Sequence, residues 1–184
     1  MEVEKPSYKE PPSEITYYSY RRINHYTEWI NQIQGKEYTE IPNDVIDSIL
    51  VELQKQKIAN MATLTHKKVR EILRKLKINK YYEHIPYIMH KLTGIPPPRF
   101  GPDLEEKLKQ MFDAIQVPYL RHSPKGRKNF LSYSYVLHKL MQILGRHEFL
   151  TLFTSLKSRE KLQHADASWS LICTDLKWPF IRNI

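Results

Sequence analysis

Residues 66–80, HKKVREILRKLKINK, set Lys67, Lys68, Arg70, Arg74, Lys75, Lys77 and Lys80 against a single carboxylate, Glu71, for a local charge of +6. A second stretch, RHSPKGRK (121–128), adds Arg121, Lys125, Arg127 and Lys128 with no acid, a further +4. The whole chain carries 29 Lys and Arg against 20 Asp and Glu, a net of +9, so these two segments hold all of its excess positive charge. Clustered cations of this kind neutralise phosphates, releasing the counterions condensed on nucleic acid. At 100° per residue, Val69, Ile72, Leu73 and Leu76 share one helical face, and Lys67, Arg70, Arg74 and Lys77 cluster on the face beyond it. In the second segment Pro124 and Gly126 favour a polar loop whose amides and cations can follow a phosphate chain. The predicted nucleic-acid contacts are therefore Lys67, Lys68, Arg70, Arg74, Lys75 and Lys77, with Arg121, Lys125, Arg127 and Lys128.

Two alternatives use the same residues. The ridge can be a solvated, solubilising face, or it can meet an acidic protein surface, which would make the chain a helical interaction module without nucleic-acid contact. The second gains weight because the cations are lysine-rich and lack the arginine–asparagine combination that reads base edges. A membrane partner is not expected: neither basic segment carries Trp or Phe beside its lysines, and no window approaches 18 apolar residues.

Other chemistries find no foothold. There are eight histidines but no HExxH, and the adjacent pairs Glu83–His84 and His147–Glu148 would point about 100° apart on a helix. GxxxxGK[ST], GxGxxG and GxSxG are absent. The single cysteine, Cys173, permits no internal disulfide and no cysteine-based zinc site, and its place beside Ile172 predicts buried filling. No enzyme, metal or cofactor is expected; a nuclease would need a carboxylate or histidine cluster assembled from distant segments. Twelve tyrosines, several grouped as Tyr17–Tyr18–Tyr20, Tyr81–Tyr82 and Tyr133–Tyr135, are read as rings bordering a core, with stacking on unpaired bases as the alternative.

The elements that must position these residues are helical. Apolar residues recur at steps of one, three and four, and no run alternates with period two, which predicts an all-α fold of about seven helices. Expected ranges are roughly 17–34, 43–57, 65–78, 81–93, 103–116, 129–144 and 166–176, with shorter turns around 147–162. Gly35, Gly94 and Gly145 fall where stripes end, while Asn43, Thr65, Asp103 and Asp166 are candidate N-caps. The stripes place Trp29 and Trp169 in the core. Residues 1–15, rich in glutamate and proline, read as a flexible arm. The proline run in GIPPPRFGP (94–102) is a stiff, non-helical strap, which gives two equal layouts: an N-terminal helical lobe (16–93) and a C-terminal helical lobe (103–184) joined by it, or a surface crossover within one domain. No internal repeat at a fixed period is visible. The opening MEVEKPSYKE lacks a signal-peptide pattern, and together with the lone cysteine it predicts a reducing, intracellular setting.

Several strings resemble one family: INHYTEWINQIQGKE (23–37), KYYEHIPYI (80–88), FDAIQVPY (112–119), NFLSYSYVLHKL (129–140), and EFLTLFTSLKSREKL with WSLICTDLKWPF (148–162, 169–180). They are similar to the poxvirus late transcription factor 3-like proteins of large nucleocytoplasmic DNA viruses. The resemblance covers nearly the whole chain after residue 16. It implies a non-enzymatic factor acting with the viral multisubunit RNA polymerase and companion factors on late genes. It also implies a setting in the viral factory of the infected host cytoplasm, with packaging in the virion as a further option. Longer relatives carry a cysteine-rich, zinc-binding segment ahead of this region, and this sequence does not; a separate chain is one way to supply it. The resemblance transfers no functional residue.

Overall fold

The structure, a computed structural model, describes residues 13–36, 41–123, 130–153 and 158–182, with side chains from residue 20 onward. Among the described residues all regular structure is helical. The α-helices are α1 (Ser13–Ile33), α2 (Asn43–Lys55), α3 (His66–Lys75), α4 (Ile85–Thr93), α5 (Pro102–His122), α6 (Tyr133–Ile143) and α7 (Arg159–Leu176). Three short 3-10 helices, Met61–Thr63, Asn79–His84 and His147–Leu152, join them.

Apolar burial falls into two clusters. One is made by α2, α3, α4 and the turns between them, around Ile49, Leu53, Val69, Ile72, Leu73, Ile85 and Ile88. The other gathers Leu108, Phe112 and Ile115 of α5, Val136, Leu137 and Leu140 of α6, and Trp169 and Ile172 of α7. Helix α1 departs from the expectation that residues 16–93 form one lobe: Tyr26, Ile30 and Ile33 belong to this second cluster. Tyr26 stacks on Phe112 with ring centroids 4.0 Å apart, and its hydroxyl donates to the Leu108 carbonyl at 2.9 Å. Because α1 also packs against α4, it joins the two clusters.

The strap is held to the end of α1. Gly35 adopts φ +63°, a conformation that strains any residue with a Cβ, and a Cβ there would also press on Pro97 Cγ of the strap at 3.1 Å. Gln34, 1 % exposed, accepts the Phe100 amide and donates to Glu105 at 2.6 Å.

Several boundaries differ from the sequence expectation. Helix α1 starts at Ser13, inside the stretch assigned to the arm, while residues 1–12 lie outside the described residues. Thr65 caps α3 as expected, accepting from Lys68 N at 3.1 Å. Asn43 and Asp103 are not caps; Pro42 and Gly101 hold those positions without a side-chain bond. The expected helix 81–93 is a 3-10 turn followed by α4, because Pro86 suits a first helical turn and lacks the amide an interior position needs. Helix α5 runs on through Pro118 to His122: Ile115, Pro118 and Tyr119 stay buried, and that packing outweighs the lost hydrogen bond. Helix α7 begins at Arg159, capped by Ser158, so Asp166 is interior and accepts the Tyr135 hydroxyl at 2.5 Å.

Trp169 is fully buried, edge-on to Tyr135, whereas Trp29 is 39 % exposed. Trp29 sits about 65° from the centre of the Tyr26–Ile30–Ile33 stripe, on its rim. Lys139 is 1 % exposed, and its Nζ donates to the Ile181 carbonyl at 2.6 Å with Asp166 Oδ1 at 3.6 Å.

Candidate nucleic-acid interface

Helix α3 follows α2 through the turn at Met61–Thr63 and packs against α2, α4 and the Asn79–His84 turn. Burial of Val69, Ile72 and Leu73 fixes its rotation, since these three fill the first cluster. Its opposite face therefore reaches water. Lys67, Arg70, Arg74, Lys75 and Lys77 are exposed and Lys68 is half-buried. Lys67, Arg70 and Arg74 span about 10 Å of helix axis at 1.5 Å per residue. Lys77 continues the line just past the helix, at φ +57°.

The cations are not equivalent. Lys75 Nζ lies 2.5 Å from Glu52 Oε1 of α2, and Glu52, only 5 % exposed, also accepts from Gln56 Nε2 at 2.9 Å. Those hydrogen bonds from Lys75 and Gln56 hold the Glu52 carboxyl below its ordinary range. Lys75 is thereby committed to the α2–α3 contact. Lys68 faces Glu71 at 4.0 Å. The Arg70 guanidinium lies 4.1 Å from the Tyr82 ring centroid, a cation–π contact that orients it. The side chains of Lys67, Arg74 and Lys77 make no ion pair or hydrogen bond with other described residues. The outer side of α2 carries the opposite sign: Asp44 and Asp47, with Ser48, Val51, Lys55 and Leu76, line a shallow depression beside Glu52.

The second basic segment is divided. Arg121 ends α5 in the other cluster and pairs with Asp175 of α7 at 2.8 Å. His122 meets the same oxygen at 2.8 Å, and that contact is the first cause of the lowered Asp175 carboxyl. Lys125, Arg127 and Lys128 lie outside the described residues. The structure thus brings Lys67, Arg70, Arg74 and Lys77 together and places Arg121 with α7.

One partner and one repeated pattern escaped the sequence reading. Glu52 sits one turn after Ile49 on the buried stripe of α2, and a carboxylate in that position signals a fixed cation. The pattern LQKQKI (53–58) returns as LRKLKI (73–78). Both copies end a helix identically: Ile58 N–H reaches the Leu53 carbonyl at 3.0 Å and Ile78 N–H reaches Leu73 at 3.0 Å, with Lys57 and Lys77 both left-handed at φ +57°. This is the 6→1 closure of a Schellman ending. It is one repeated ending, so no period runs through the chain.

No nucleophile or metal constellation accompanies the ridge. Burial pushes the Cys173 thiol up to about 11, leaving it protonated near neutral pH. Among the described residues no group of three or more His, Cys, Asp or Glu could hold a metal ion, and no helix is long and apolar enough to cross a membrane.

The family described as Poxvirus Late Transcription Factor VLTF3 like matches residues 13–180. A candidate transcription factor of Acanthamoeba polyphaga mimivirus is 43 % identical over 184 residues, covering 100 % of this chain and 42 % of the relative. Another, of Paramecium bursaria Chlorella virus 1, is 42 % identical over 166 residues, 90 % of this chain and 46 % of the relative. A protein of African swine fever virus named as a zinc finger protein is 24 % identical over 170 residues, 84 % of this chain and 44 % of the relative. The chain thus spans less than half the length of these curated relatives. No solved structure matches it.

Proposed function

The chain belongs to the Poxvirus Late Transcription Factor VLTF3-like family, and on that premise we propose that it is a late-gene transcription factor that binds DNA without an enzymatic step. The outer face of α3 is the DNA-binding surface. One observation carries this reading: Lys67, Arg70, Arg74 and Lys77 line a helix face whose reverse side is locked into a core, so the charge is displayed on a rigid support. Contacts of this type are made to phosphate, position the protein and carry little sequence information. Sequence preference then comes from companion factors and the viral RNA polymerase, which act with this chain in the viral factory.

A salt series tests the reading. Four phosphate contacts give a slope of log K against log salt of roughly −3.6, a loss of about a hundredfold between 50 and 200 mM salt. Combining Lys67→Ala, Arg74→Ala and Lys77→Ala should flatten that slope by up to about 3 and weaken a late promoter and a scrambled duplex alike. A slope unchanged by the triple variant would overturn the assignment.

Protein contact is favoured at the other cluster, where Val117 and Leu120 of α5 and Leu171 of α7 are exposed. Polymerase and companion factors are the partners proposed for that side.

A further inference from the structure

Trp29 is the large apolar side chain that the helical stripe assigns to the core and the structure leaves 39 % exposed. It makes no ring, cation or hydrogen-bond contact with other described residues. One turn further along α1, Gln32 Nε2 donates a long hydrogen bond, 3.5 Å, to Glu83 Oε2 of the Asn79–His84 turn. The residue before Glu83 is Tyr82, on which Arg70 of α3 lies at 4.1 Å. Consecutive side chains of a 3-10 helix diverge by about 120°, so a single short helix reaches α1 with Glu83 and α3 with Tyr82. The same turn holds Lys80 over the Tyr81 ring at 5.1 Å. A basic ridge and a guanidinium 4.1 Å from a ring centroid are therefore linked through one turn of chain to α1, one helical turn from the exposed indole.

We propose that this strip binds an unpaired nucleic-acid strand, with phosphates on Lys67, Arg74 and Lys77 and bases stacked on Trp29 and on the exposed Arg70. This rests on the phosphate-binding role of α3 and deepens it by naming the strand. A closed duplex buries its base faces and leaves an exposed indole nothing to stack on, whereas an unpaired strand offers both phosphates and base planes. A planar guanidinium is a stacking partner for bases, and the contact with Tyr82 fixes where the Arg70 guanidinium sits. The carboxylates along the strip are each engaged: Glu28 with His25 at 3.3 Å, Glu71 with Lys68 at 4.0 Å, and Glu83 with Gln32.

The test uses the full chain with three fluorescent probes of about 20 nucleotides: a mixed-sequence DNA strand, its blunt duplex, and an abasic strand with the same phosphates. The intact strand should bind tightest. Trp29→Leu, which keeps an apolar body and removes the ring, should weaken the intact strand about tenfold and leave the duplex, the abasic strand and the salt slope unchanged, while Trp29→Phe restores most of the loss. Equal binding of strand and duplex, with Trp29→Leu neutral on both, would overturn the inference and leave the phosphate-binding reading standing. If the wild-type chain binds none of the probes, both readings fall. Unchanged binding to all probes with loss of a copurifying polymerase subunit would make Trp29 a protein anchor and also overturn the proposal.

Discussion

The Oε1 atom of Gln34 accepts the Phe100 backbone N–H at 2.9 Å, while the Nε2 of the same amide donates to Glu105 Oε1 at 2.6 Å. One side chain at the end of α1 thereby satisfies the strap and orients the carboxylate in the first turn of α5. Lys36 completes the group at 2.7 Å from Glu105. Removing a buried amide with these partners strands the Phe100 amide in an apolar setting, beside Phe149 at 4.8 Å between ring centroids. Gln34→Leu should therefore cost about 2–3 kcal/mol, read by urea unfolding. A loss below about 0.5 kcal/mol would show that water replaces the amide.

The two tryptophans should separate cleanly. Trp169→Ala should cost about 3–5 kcal/mol, the range for deleting a fully buried aromatic ring. Trp29→Ala should cost less than half as much, because its ring is already partly in water. Thermal unfolding of both variants checks this; equal losses would return Trp29 to the core.

Glu52 makes stability depend on acid. Its folded carboxyl titrates below the ordinary glutamate value of 4.5. A depressed carboxyl contributes fully above the unfolded value, and the contribution is lost as pH falls through the folded one. Glu52→Gln should accordingly be less stable than wild type at pH 6, and the two should converge as pH falls below the ordinary glutamate value of 4.5 and through the lowered folded one. Parallel curves across that range would mean that Lys75 and Glu52 do not interact in solution.

Lys57 pays the steric penalty of a left-handed residue at the end of α2. Glycine adopts that conformation freely, so Lys57→Gly should raise stability by about 0.5–1 kcal/mol after the added freedom of the unfolded chain is subtracted. Lys57→Ala, which keeps a Cβ, should bring no such gain. Chemical denaturation of the pair distinguishes a backbone effect from loss of the charge.

What sequence reveals here is set by the range of the forces involved. Helical periodicity is local, so the stripe on α3 and the ridge behind it are visible from residues 66–80 alone, as is the Thr65 cap three residues before the amide it serves. Partners chosen by tertiary packing are not local. Nothing near Lys75 announces Glu52, 23 positions earlier, and nothing near Tyr26 announces Leu108, 82 positions later. Trp29 differs from its predicted core position because a 100° step assigns a rim residue and a central residue to one stripe, and only the neighbouring helices decide how wide the covered stripe is. Helix α5 illustrates the opposite case: periodicity predicts it over 103–116, and the packing of Ile115 and Tyr119 carries it on through Pro118 to His122.

The position of α1 also sets an order of events during synthesis. Tyr26, Ile30 and Ile33 leave the ribosome well before the residues that cover them, which run from Phe100 to Cys173. At ordinary elongation rates of about 5–20 residues per second, this stripe waits roughly 3–13 s for Phe100 to be made. The α2–α4 cluster closes on itself in the meantime from neighbours close in sequence. A nascent chain halted before Phe100 should therefore be held by a chaperone through its α1 stripe, and one halted beyond Leu176 should be released.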